Sequence, residues 1–116
     1  MLAIDVILTA NTRPACGGPH LIRCSAGGVF QAVAHKGLSV RWVDLMSHEK
    51  ENVADVSTQN IADVCCYPVF FGNKLSAFQH MKVLRNAKNV PSRIIVFGIF
   101  AESFPEEILS RDLADI

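Results

Sequence analysis

Three observations predict an α/β fold built on a parallel sheet. Four apolar runs, Leu2 to Leu8, Leu38 to Leu45, Val64 to Phe71 and Ile94 to Phe100, each end in a polar or glycine-bearing stretch. Segments with helical spacing separate them, as parallel strands require of their crossovers. Right-handed crossovers in a doubly wound sheet then leave the strand order 2-1-3-4, with a truncated fifth strand beside the fourth, a flavodoxin-like or Rossmann-like arrangement. Sheets of this kind bind ligands beyond the carboxyl ends of their strands, so the loops that follow the strands are the informative residues.

The elements follow in order. The first strand, Ala3 to Thr9, runs into Asn11-Thr12-Arg13-Pro14-Ala15-Cys16-Gly17-Gly18, which cannot continue it. Pro19 suits the first turn of a helix, where a missing N–H costs nothing. Leu21, Ser25, Gly28, Val29, Ala32 and Val33 form the face expected to lie on the sheet, with close packing as the reason for Gly27 and Gly28. Gly37 ends this helix, and Leu38 to Leu45 returns as a strand with Val40, Trp42 and Asp44 on one face. A short helix is expected within Ser47 to Ile61. Val64 to Phe71 is the most apolar run and reads as the central strand. Ala77, Phe78, Met81, Leu84 and Ala87 repeat at helical spacing as a core stripe, and Arg93 to Phe97 follows as a strand. A loop from Gly98 leads to a last helix opened by Pro105-Glu106-Glu107, whose acids favour the positive end of the helix dipole. Leu113 to Ile116 reads as the start of the fifth strand.

Composition limits the function. The chain has 116 residues, near the size of one domain, so residues 1–116 are expected to form a single unit without a linker. Lys plus Arg and Asp plus Glu number 11 each, which removes the electrostatic footprint of a nucleic-acid binder or of a protein held on an anionic membrane. No apolar stretch approaches the roughly 20 residues that span a bilayer, and no signal-like pattern opens the chain, so the expected location is the cytoplasm. Cys16, Cys24, Cys65 and Cys66 show neither zinc-site nor disulfide-framework spacing and read as reduced thiols. His35, His48 and His80 read as surface residues without metal-ligand spacing.

Three loops converge on one sheet edge: Asn11 to Gly18, Tyr67 to Lys74 and Gly98 to Ser103. They offer backbone, small side chains and aromatics with few titratable groups, which suits holding a large flat ligand better than acid–base catalysis. Neither GxGxxG nor GxxxxGK[ST] is present. The one nucleophile candidate is Cys16, ahead of a helix start that would stabilise its thiolate, with His20 as base.

At these loops the chain resembles the N-terminal cobalamin-binding domain of cobalamin-dependent radical S-adenosylmethionine enzymes. The resemblance covers nearly the whole chain: the first strand and proline-glycine loop, K-G-L-S-V-R-W-V-D-L, A-D-V-C-C-Y-P-V-F-F, and R-I-I-V-F-G-I-F-A-E-S-F-P-E-E-I-L. The last segment is the most specific, with Phe97-Gly98 standing where that family has a glycine pair. The resemblance implies bound cobalamin, its corrin over the strand ends and its nucleotide tail along the sheet. Asn11, Thr12, Gly17 and Gly18 would serve from the first loop, and Tyr67, Pro68, Val69 and Asn73 would line the corrin side. Gly98 would let backbone approach the tail, followed by Phe100, Ala101 and Glu102. The D-x-H-x-x-G motif is absent, so no residue is assigned to cobalt. The C-x-x-x-C-x-x-C cluster motif is absent as well, and the implied partner is therefore a radical S-adenosylmethionine catalytic domain, in the same or another chain, for methyl transfer or radical rearrangement. Relative to the family the chain stops where the fifth strand begins, leaving an edge open to dimerisation. The alternatives are an interaction or assembly module without cofactor and, third, a small cysteine-dependent enzyme using Cys16.

Overall fold

The computed structural model describes residues 3–9, 19–45, 62–86 and 93–115, excluding the side chains of 19–21. The first loop with Cys16, the helix expected within Ser47 to Ile61, and Ala87 lie outside the described residues.

The strands are β1 (Ala3–Leu8), β2 (Ser39–Asp44), β3 (Val64–Pro68) and β4 (Arg93–Phe97). All are parallel, in the order β2-β1-β3-β4, as the crossover rules predict. The helices are α1 (Pro19–His35), α2 (Lys74–Arg85), α3 (Ile99–Ser103) and α4 (Pro105–Ser110). Side chains alternate across the sheet and divide the core in two. Ile4, Val6, Leu8, Val64 and Cys66 pack on one side with Ile22 and Ala26 of α1. Ile7, Cys65, Tyr67 and Ile94 face the other, under Ala77, Phe78, Met81 and Leu84 of α2 and Phe100 and Ile108 beyond β4. Burial on both faces explains why β3 is apolar at every position.

Four expectations about these elements are corrected. The buried stripe of α1 is Ile22, Ala26 and the partly buried Phe30, with Val33, whereas Gly28 and Ala32 are exposed. Of the expected face Val33 does pack on the core and Ser25 and Val29 are partly buried, while Ile22 and Phe30, outside that face, set the rotation. Among the described residues a Cβ at Gly27 or Gly28 meets nothing within 4 Å, so close packing there does not explain them. Gly28→Ala is therefore expected to raise stability by up to about 1 kcal/mol, the helix-propensity gain, in a urea melt; an unchanged or lower midpoint would contradict this placement.

The other two corrections lie after β4. Residues 99–103 form a helical turn and not a loop, with Phe100 buried beneath it. Leu113 to Asp115 is not a strand, although it lies along the outer edge of β4. Asp115 N–H donates to the Ile94 carbonyl at 2.8 Å, and its carboxylate accepts the Ile94 N–H at 2.7 Å. Arg85 pairs with the same carboxylate at 2.9 Å. Burial works to raise the pKa of Asp115, but the Ile94 N–H and Arg85 outweigh it and hold the group below its usual range. The edge expected to be free is thus closed at Ile94.

Two ion pairs tie the sheet together. Arg41 on β2 grips the buried Asp5 of β1 through two hydrogen bonds, at 3.0 and 2.7 Å. Arg23 of α1 reaches Asp44 at the end of β2 at 2.9 Å, fixing helix to strand beside the ligand edge.

Candidate functional site

The described part of the site is the surface beyond the carboxyl ends of β3 and β4. After Pro68 the chain does not stop at the sheet. Val69 N–H donates to the Phe97 carbonyl at 2.7 Å, and the Phe100 N–H donates to the Val69 carbonyl at 3.1 Å. The extension of β3 therefore lies directly over Gly98. A Cβ at Gly98 would stand 2.9 Å from the Val69 oxygen, and the backbone there has φ +99°. Close approach does require glycine at this position, but what approaches is the chain's own backbone. Gly98 does not open a tail channel in this structure, and that role is withdrawn.

The residues expected to line a corrin are buried as well. Tyr67, Pro68, Val69 and Asn73 expose essentially nothing, and Phe100 and Ala101 are buried. The Tyr67 ring points beneath α2, where its phenol meets His80 Nδ1. His80 is 2% exposed, which overturns its assignment to the surface. It follows Phe78 and precedes Met81 on a helix whose inner stripe is wide enough to take it in. Burial lowers the imidazole pKa to about 4 and pushes the phenol well above its usual 10. The neutral ring accepts from the phenol, which leaves Nε2 buried without a partner among the described residues. Nothing in the spacing of the sequence marks this pair. The Tyr67 and His80 side chains are 13 positions apart and meet only because β3 and α2 pack together.

Two aromatic rings remain exposed at this end. Phe71 and Phe104 are 40% and 46% exposed and both pack on the buried Phe100, with ring centroids 5.2 and 5.3 Å from it. The two are themselves 6.0 Å apart. Leu75 at the start of α2 and Ile99 at the start of α3 are also half exposed. Polar groups edge this platform. Lys74 Nζ sits 4.8 Å from the centre of the Phe100 ring, and Glu102 and Ser103 join Phe104 to Glu107 around an open hollow of about 620 Å³. Glu102 is the residue of the expected set that lies exposed here. Phe71 and Phe104 were not singled out from sequence; a large apolar residue on either side of a turn after a strand was the available signal.

Two of the three described thiols are enclosed. Cys65 and Cys66 are buried and unbridged, and burial, followed by the charge of Asp5, pushes Cys65 up to about 12 and raises Cys66. Cys24 is exposed on α1. Asn11, Thr12, Gly17, Gly18 and Cys16 lie outside the described residues, so the site is seen from β3 and β4 only.

Comparison with known proteins finds no matching family model, no matching curated protein and no matching solved structure. The chemistry of these side chains therefore carries the functional reading.

A corrin presents a flat apolar face with amide groups around its margin; the rings of Phe71 and Phe104 stand at 86° to each other, so one of them can lie along that face while the other meets it edge-on, with Lys74, Glu102 and Ser103 nearby. Val69 and Phe70 occupy the space in front of Gly98, so no role is derived for that residue toward the cofactor.

Proposed function

We propose that the chain is a non-catalytic binding module that holds a cobalamin-type cofactor against the platform beyond β3 and β4 and presents it to a separate radical S-adenosylmethionine domain. The observation that supports this reading is the exposed pair Phe71 and Phe104 on Phe100, at the end of the sheet where open α/β folds place their ligands. Phe71 and Phe104 would meet the apolar face of the macrocycle, one ring by its face and the other by its edge, with Leu75 and Ile99 extending the contact. When bound, cobalamin would supply a cobalt centre for methyl transfer or radical rearrangement, and the chain's own residues would shield one side of it from water and orient it.

A second reading, an interaction module without cofactor, is favoured by the closure of Tyr67, Val69, Asn73 and Phe100. Absorbance titration with hydroxocobalamin, followed by gel filtration, separates the two. Binding should give a spectral change and co-elution, and Phe71→Ser with Phe104→Ser should weaken affinity at least about 10-fold, since each ring removes apolar contact. No spectral change and no retention would leave the interaction module.

A further inference from the structure

We propose that Asn73 is the positioning residue of the aromatic platform and makes no contact with the ligand; this rests on the platform being the binding surface. Asn73 occupies the N-cap position of α2, where an Asn ordinarily turns its side chain to the helix N–H groups. Here it makes no such bond. Its amide is turned inward and spent on three others. Oδ1 accepts the Phe70 N–H at 2.7 Å, and Nδ2 donates to the Pro68 carbonyl at 2.7 Å and to Thr9 Oγ1 at 3.2 Å. The side chain is fully buried, so these bonds are made away from water, where leaving one partner unpaired is costly.

The consequence lies in what these three partners are. Pro68 ends β3, Phe70 precedes the first ring of the platform, and Thr9 follows the end of β1. One amide therefore fixes the turn that carries Phe71 and ties it across the β1–β3 junction. At this junction the strand order reverses, and ligand crevices of open sheets lie there. The helix gives up its cap for this purpose. The orientation of Phe71 is thereby coupled to the end of β1, and a ligand that rests on Phe71 depends on Asn73 without touching it.

Two variants test this. Asn73→Ala removes all three bonds, and Thr9→Val removes only the link to β1 and keeps the shape of the side chain. Hydroxocobalamin affinity and hydrogen exchange of the Phe70 amide are measured for both, beside Ile22→Val, which loosens the core on the other face of the sheet. Asn73→Ala should speed Phe70 exchange at least 10-fold and weaken affinity at least 10-fold. Thr9→Val should weaken affinity about 3-fold, and Ile22→Val should leave affinity unchanged despite a lower melting temperature. If Asn73→Ala does not fold, Thr9→Val carries the test. Unchanged Phe70 exchange, or affinities no weaker than that of Ile22→Val, would overturn the positioning role. Failure of the unaltered chain to bind hydroxocobalamin would instead overturn the function proposed above, and Phe70 exchange alone would then decide the role of Asn73.

Discussion

Gly98→Ala is expected to destabilise the fold by about 3 kcal/mol or more, combining residence in a glycine-only backbone region with a contact that cannot relax. The backbone has φ +99° and ψ 170°. The new methyl would stand 2.9 Å from the Val69 oxygen and 3.3 Å from its nitrogen. Neither atom can retreat cheaply, because Val69 N–H is bonded to the Phe97 carbonyl and the Val69 carbonyl to the Phe100 N–H. Moving the β3 extension would break both bonds and lift Phe100 out of the platform's floor. Urea unfolding should show the loss directly, and hydroxocobalamin binding should fall with it. A variant as stable as the parent would mean that Val69 does not cross Gly98 as described.

Stability is expected to fall by about 3 kcal/mol between pH 7 and pH 4 through His80 alone. Burial lowers its pKa in the folded chain to about 4, from a usual value of 6.5. Above pH 6.5 the ring is neutral in both states and the contribution is complete. As pH falls toward 4 the unfolded chain takes up a proton that the folded chain refuses, so unfolding becomes progressively easier. Below 4 both forms are protonated and this group adds nothing further. Asp115 acts in a lower window, since its carboxylate is held below the usual 3.8 and its contribution disappears as protonation releases Ile94 and Arg85. Urea midpoints at pH 7, 6, 5 and 4.5 measure the first slope. The double variant His80→Leu with Tyr67→Phe, which removes the titrating group and its partner together, should flatten it. Equal stability at pH 7 and pH 5 in the parent chain would show that the imidazole is not enclosed.

The sheet was legible because its information is local and periodic. Apolar runs such as Val64 to Pro68 mark strands buried on both faces, and the handedness of crossovers leaves few orders for them. The Ala77, Phe78, Met81 and Leu84 stripe was legible for the same reason. The rotation of α1 was legible only at Val33, since Ile22 and Phe30 outweigh Gly28 and Ala32 only once the sheet is there to receive them. The site was less legible still. Tyr67, Val69 and Asn73 do stand at the strand ends, as their positions in sequence require, but the direction of each side chain is set by tertiary partners. Tyr67 turns to His80 and Asn73 to Thr9, while Val69 is buried in the core and its backbone is bonded around Gly98. The need for glycine at 98 was readable, whereas the identity of the group pressing on it was not.

Ligand binding on Phe71 and Phe104 should be visible residue by residue in solution. Chemical-shift mapping of the ¹⁵N-labelled chain during hydroxocobalamin addition tests this most directly. Perturbation should centre on residues 69–75 and 98–107 and leave Leu38 to Asp44 unmoved. Shifts confined to the α1 and β2 side, around the exposed Trp42, or no shifts at saturating cofactor, would contradict the account.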